Sequence, residues 1–108
     1  MMATAREGWR RVKGIPIGPV LYALRRATLF DQSLPVWKIG RTCNLGRRLR
    51  EFPDVMTPVF VRDVEAHESA IDLEAELHAQ CPFPRAGGGR ELYRCAEGEL
   101  EGWLNGKA

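Results

Sequence analysis

Trp37-Lys38-Ile39-Gly40-Arg41-Thr42, followed after one residue by Asn44-Leu45-Gly46-Arg47-Arg48-Leu49-Arg50, decides the reading of this chain. The apolar run over residues 36–40 has strand character and ends in a glycine. A polar turn then opens a helix at Asn44, whose side chain can cap the exposed N–H groups of the first turn. The helix ends before Pro53, because proline disfavours helix in the residue ahead of it. Leu45, Leu49 and Phe52 recur at helical spacing and would face a sheet, leaving Arg47, Arg48 and Arg50 on the flanks. A strand running through glycine into such a helix presents guanidinium groups from a rigid support.

Upstream, Ile15-Pro16-Ile17-Gly18-Pro19 is stiff and extended. Residues 20–25 read as a strand, with Leu21 and Ala23 on one face and Tyr22 and Leu24 on the other. Residues 27–35 form the loop of an antiparallel hairpin that joins this strand to residues 36–40. Downstream, residues 57–64 are a third strand, rich in valine and carrying Phe60. Residues 65–80 form the best helix, with Ala66, Ala70, Leu73 and Leu77 in one narrow apolar stripe. A glycine turn at 86–89 leads to a short edge strand at 91–94. A closing helix near residues 100–104 is anchored by Trp103. The sum is an α+β fold, a small three-stranded, mainly antiparallel sheet flanked by helices. Residues 1–14 are expected as a flexible basic arm with Trp9 as its one anchor, and residues 15–108 as a single domain.

A chain of 108 residues with 44% apolar residues has room for one core. No apolar run approaches the roughly 20 residues that span a bilayer. The basic N-terminus lacks the apolar centre of a secretory signal, so a cytoplasmic protein with no membrane association is the expectation. The net charge of +2 is small, but its distribution is uneven. Arginines gather at residues 6–13, 25–26 and 41–50, whereas acids gather at 63–76 and 97–101. Fork-shaped guanidinium donors suit phosphate recognition; a solvated face of mixed charge fits the same pattern. Cys43, Cys81 and Cys95 are widely spaced and make no familiar zinc pattern with His67 or His78, so reduced structural thiols are expected.

The residues that carry chemistry each have two readings. Tyr22 is either core filler or, beside a cation that lowers its free pKa of about 10, a base. Lys38, mid-strand, either snorkels outward or contacts phosphate or water beside Tyr22. Gly40 either makes a plain turn or lets a backbone or phosphate approach closely. Arg48, next to the buried Leu49, either is solvated or reaches over the sheet edge toward Tyr22, where it would stabilise phosphoryl charge. Glu74 borders the apolar stripe and must be paired, bound to a cation or protonated. His78, one helical turn on, can orient Glu74 or contact substrate. One carboxylate plus waters suits Mg2+ or Mn2+. Alternatively, Glu74 pairs with an arginine of the first helix.

In order and spacing, these residues resemble the GIY-YIG nuclease superfamily. The tyrosine strand and the Lys38-Ile39-Gly40 strand stand in its order. Arg48 falls eight positions after Gly40, and Leu73-Glu74 lies on a later helix. The stretch 38–42, the pairs Leu73-Glu74 and Leu77-His78, and Gly89-Arg90-Glu91 are similar to the phage-type or meiotically up-regulated branch, which carries KIG in place of YIG. The first motif keeps only its tyrosine, because Val20 and Leu21 stand where glycine and isoleucine are usual. A late asparagine common in the superfamily has no match, and Glu91 stands nearest to that role.

The resemblance implies a metal-dependent DNA endonuclease. Tyr22, assisted by Lys38, would activate water. Arg48, with Arg41, would stabilise the charge, and Glu74 would hold Mg2+ or Mn2+. Arg41, Arg47, His78 and Gly40 would bind substrate, mainly through phosphate-backbone contacts. A small nuclease that cuts both strands would need a dimer, and the sequence leaves the oligomeric state open. The rivals are a scaffold that binds nucleic acid without turnover, and a protein-interaction or regulatory domain with Trp9 and Trp103 as exposed anchors.

Overall fold

Alternation in residues 20–24 divides the protein into two layers. In the computed structural model, which describes residues 6–27, 34–65, 67–86 and 91–106, Leu21 and Ala23 pack on one side of the sheet. Their neighbours there are Trp37, Ile39, Phe60, Leu77, Leu100 and Trp103. Val20, Tyr22 and Leu24 pack on the other side with Leu45, Val61, Leu49 and Phe52. The strand that carries them is therefore covered on both faces, and Val20 to Leu24 are all buried. Each large side chain so buried contributes about 1.5–3 kcal/mol.

The elements run β1 (Arg10–Arg11), β2 (Val20–Arg26), β3 (Val36–Thr42), α1 (Leu45–Glu51), β4 (Met56–Asp63), α2 (His67–Gln80), β5 (Leu92–Arg94) and α3 (Glu97–Leu104). They form an α+β fold whose sheet has the order β1-β4-β2-β3-β5, with every pair antiparallel. The three strands expected from the sequence are its centre. Two short strands extend it, β5 at the expected edge and β1 at the other. The hairpin register puts Tyr22 opposite Gly40 and Leu24 opposite Lys38. Asn44 caps α1 as expected, its side chain accepting from the Arg47 N–H at 2.9 Å.

A bulge in the β2–β4 pairing follows Ala23, which faces Phe60 while Leu24 faces Pro58. Val59 is the extra residue, and Pro58, which has no N–H to give a ladder, sits where the pairing is already irregular. On the far side of β4, Val12 donates its N–H to the Val59 carbonyl at 3.0 Å.

That last contact belongs to a correction. The segment expected to be a free basic arm is, in its described part, built into the sheet. Gly8 turns the chain at φ +77°, Trp9 is only 7% exposed, and Arg10 and Arg11 pair with Val61 and Phe60. A lone tryptophan among charges shows no periodicity, so sequence pattern does not reveal the strand. The open edge of β4 nonetheless supplies hydrogen-bond partners and the core takes the indole. Trp103 is also buried, so the two exposed anchors required by an interaction-domain reading do not exist.

The expected basic surface is smaller than the sequence implies. Arg10 pairs with Asp63 at 3.2 Å, Arg11 with Glu97 and Glu101 at 3.0 Å, and Arg25 with Glu97 at 3.7 Å. Such exposed pairs contribute about 0–1 kcal/mol each, but they offset the charges of Arg10, Arg11 and Arg25. Arg47 and Arg50 of α1 stay exposed. Residues 28–33 of the expected loop, Ala66 of the apolar stripe, and 87–89 of the glycine turn lie outside the described residues. No described helix is long and apolar enough to cross a membrane.

Because Trp9 closes the core beside β4, Trp9→Ala is expected to destabilise the protein by about 3 kcal/mol. Urea unfolding followed by circular dichroism measures this. An unchanged midpoint would contradict the burial.

Candidate active site

The site begins with Gly40. Its missing side chain is what allows Tyr22 to lie across β3, because a Cβ at Gly40 would meet Tyr22 Oη at 2.5 Å and Cζ at 2.7 Å. Phe52, the C-cap of α1, packs edge-on against the tyrosine ring with centroids 6.5 Å apart. The ring is 1% exposed and its neighbours are Leu45, Val61 and Leu49, so it has little freedom to move aside.

Arg48 reaches the phenol from α1, as its position beside Leu49 suggests. It donates a hydrogen bond to Tyr22, and that bond with the phenol raises the pKa of the guanidinium. A second donation goes to Glu51 at 3.3 Å. The guanidinium also lies 5.2 Å from the centre of the Phe52 ring, while Lys38 Nζ lies 5.6 Å from the same ring. One aromatic side chain thus gathers both cations near Tyr22. The sequence gives Phe52 only a packing role, because nothing in its spacing says which cations it will meet.

Burial pushes the Tyr22 phenol up from its ordinary value. The Arg48 hydrogen bond and charge oppose this, and Glu91 and Glu74 reinforce it. The neighbouring cation does lower the phenol as expected, but the net shift is upward. Desolvation of a ring that is almost wholly enclosed outweighs one partly exposed guanidinium. Lys38, expected to assist Tyr22, has its own carboxylate partner. Its ammonium pairs with Glu91 Oε2 at 2.8 Å, because β5 lies beside β3 with Lys38 opposite Leu92.

Glu91 brings the second half of the site. Its backbone carbonyl accepts from the Ile39 N–H at 3.1 Å, which fixes the start of β5 against β3. Across from it, α2 presents Glu74 and His78 on one face. One ligand atom from each of Glu74, His78 and Glu91 lies within 4.8 Å of the others, all three half-buried. That donor set fits a divalent cation, with two carboxylates and an imidazole converging on one point. Arg41 Nε stands 3.9 Å from Glu74 Oε2, so the carboxylate pairs with the arginine that precedes the helix, not with one on the helix.

Burial raises the Glu74 pKa, Glu91 adds to the rise, and Arg41, Lys38 and Arg48 oppose it. Burial lowers His78, with Glu91 as the main opposing influence. Near neutrality the imidazole is uncharged. Its Nδ1 is 2.7 Å from Tyr93 Oη, and the two rings stack 5.7 Å apart. Tyr93 is the aromatic that follows Gly89-Arg90-Glu91 in the motif of the resemblance, but the sequence does not assign it to His78. Arg47 remains exposed on α1 and joins none of the ion pairs among the described residues. Of the expected residues, Tyr22, Lys38, Gly40, Arg41, Arg48, Glu74 and His78 converge, and Arg47 stands apart.

Every residue in this convergence lies between β2 and α3. The family model described as the T5orf172 domain matches residues 20–106, the same span. The chain belongs to the T5orf172 domain family. The family is associated with phage nuclease-type domains, which points to a nucleic-acid-related role. No curated protein and no solved structure matches the chain. In this T5orf172 domain the matched span starts at Val20, so β1 and the buried Trp9 are additions outside it.

Two substitutions test the geometry. Gly40→Ala is expected to cost about 1–3 kcal/mol, since the new methyl group overlaps a fixed ring; thermal unfolding with unchanged midpoint would contradict the placement of Tyr22. Glu74→Gln is expected to have the opposite sign. A carboxyl with a raised folded pKa contributes stability below its unfolded value and loses it as pH rises through the folded value. At pH 7 the neutral glutamine therefore keeps or raises the unfolding temperature, by up to about 4 °C for a domain of this size. A clear loss of stability would show that Arg41 dominates the site instead.

Proposed function

We propose that this T5orf172 domain is a metal-dependent endonuclease that hydrolyses phosphodiester bonds in DNA with chemistry of the GIY-YIG type. The observation that carries this reading is one convergence from four elements. A phenol on β2 is bonded to a guanidinium on α1, beside a carboxylate–imidazole–carboxylate cluster that β3 flanks with Lys38 and Arg41.

In this reading Tyr22 orients the attacking water through its phenolic oxygen, and as phenolate it takes the water's proton. Arg48 holds that oxygen in place and, with Arg41, faces the charge that gathers on the non-bridging oxygens in the transition state. Lys38 adds positive potential from β3 while Glu91 holds it. Glu74 would hold Mg2+ or Mn2+, whose chemistry there is polarisation of the phosphoryl group and support of the leaving oxygen. Gly40 leaves the space in which the Tyr22 oxygen lies across β3. The exposed Arg47 contacts the DNA backbone, which positions the duplex and carries no sequence information.

A second reading has specific support. The raised phenol and the pinning of Lys38 by Glu91 both favour a scaffold that binds nucleic acid and turns over weakly or not at all. Nicking of supercoiled plasmid in Mg2+ or Mn2+ separates the two. The nuclease reading expects cleavage by the wild type, and a loss of about 100-fold or more in Arg48→Ala and Glu74→Gln. Full activity in both variants would remove these roles. No cleavage, with a salt-dependent gel shift, would establish the binding module.

The pH dependence follows from Tyr22. Its folded pKa lies above the free value of 10.0, so the phenolate fraction grows throughout the neutral and mildly alkaline range. Single-turnover cleavage is expected to rise continuously between about pH 7 and pH 9. A plateau beginning near neutrality would assign the base to another group.

A further inference from the structure

The cluster of Glu74, His78 and Glu91 differs from a single metal-bearing glutamate in having a nitrogen donor and a second carboxylate. The imidazole is prepared for ligation by its own contacts. Its Nδ1 is taken by Tyr93 Oη, and the tyrosine ring stacked on it fixes the plane. Arg85 lies over the outer side of that tyrosine, 5.7 Å from the ring centre. The other nitrogen, Nε2, is fully enclosed and makes no well-aligned hydrogen bond among the described residues, although the Ile39 backbone lies near enough to the ring to oppose the fall of its pKa. A buried ring nitrogen left unpaired beside two carboxylates is costly unless something occupies its lone pair. In the tautomer whose Nδ1–H donates to Tyr93 Oη, Nε2 carries the lone pair and can ligate a metal.

We propose that Glu74, His78 Nε2 and Glu91 form a three-ligand N/O site that selects Mn2+ over Mg2+, with Tyr93 as the positioning residue for the imidazole. The proposal deepens the nuclease reading, sharing Glu74 with it, and its geometry stands without any cleavage. Mg2+ sheds water reluctantly and prefers oxygen ligands in near-ideal octahedra. An imidazole plus two carboxylates suits a first-row transition ion, and Mn2+ tolerates both donor types. Glu91 would have to share itself between the cation and Lys38. A carboxylate has two oxygens, and Lys38 contacts one of them, Oε2.

The test reads binding and not turnover. Mn2+ is titrated into the full chain and free ion is counted by electron paramagnetic resonance, with Mg2+ as competitor. Pulsed spin-echo spectra of the bound ion then report whether a nitrogen nucleus is directly coordinated. The expected result is Mn2+ binding at least about tenfold tighter than Mg2+, together with nitrogen modulation. His78→Ala should abolish the modulation and weaken Mn2+ binding by about 10-fold or more, while Mg2+ binding changes far less. Glu91→Gln should weaken both ions and keep the nitrogen signal. Circular dichroism checks that each variant folds, and the wild-type spectrum alone decides the nitrogen ligand if one does not.

Absence of Mn2+ binding, bound Mn2+ without nitrogen modulation, or equal affinity for the two ions would each overturn the proposal. Plasmid cleavage separates this from the parent reading. Mg2+-supported cleavage without a nitrogen signal removes the three-ligand site and keeps the nuclease. A nitrogen signal in a protein that never cleaves keeps the site and removes the nuclease.

Discussion

The contact on which the rest of the structure depends is the Tyr22 ring lying across the backbone of Gly40. It exists only because β2 and β3 pair in the register that sets these two residues opposite each other. A slip of one residue would turn Tyr22 to the other face and carry the whole apolar set with it. The same register places Lys38 opposite Leu24 and hands it to Glu91, the residue just ahead of β5. It also starts α1 where Arg48 and Phe52 come down over the phenol. One glycine therefore fixes a strand pairing, a helix position and the orientation of a titratable group.

The charges around that contact are arranged with less comfort. Two half-buried carboxylates, Glu74 and Glu91, face each other and are met by Lys38 and Arg41 at the sheet edge. The compensation is incomplete, since burial and Glu91 still push Glu74 upward. Arg41 Nε and Arg48 Nε are enclosed without hydrogen bonds among the described residues. Each such group costs stability unless an outside partner satisfies it. A phosphate with its anionic oxygens, and a divalent cation between the carboxylates, would supply those partners together. In the proposed function, a bound phosphodiester would return the stability that the free protein gives up at these groups.

Much of the fold could be read in the sequence. The alternation of residues 20–24 separates the two cores, and Asn44 and Pro53 bracket α1, because caps and periodicity act locally. Tyr22, Arg48 and Glu74 came with their spacing. What escaped was whatever depends on edges and on distant partners. Trp9 has no pattern around it, yet it anchors a strand that adds to β4. Lys38 could be placed on a face but not assigned to Glu91, since that pairing spans 53 positions. The upward shift of Tyr22 depends on how completely its ring is enclosed, a property of packing and not of neighbours in the chain. His78 and Tyr93 each belong to a motif of the resemblance, but their contact across 15 positions is a matter of packing that neither motif states.

The central claim is that Tyr22 takes part in cleavage and is more than a core residue that happens to be polar. Tyr22→Phe removes one oxygen and keeps the ring, so packing against Gly40 and Phe52 is preserved. The decisive measurement is single-turnover cleavage of an end-labelled duplex by this variant and the wild type, at Mn2+ and protein concentrations that give equal DNA occupancy. The account predicts that Tyr22→Phe binds DNA as the wild type does and cleaves it at least about 100-fold more slowly. Equal rates at equal occupancy would contradict it and leave the phenol as part of the core.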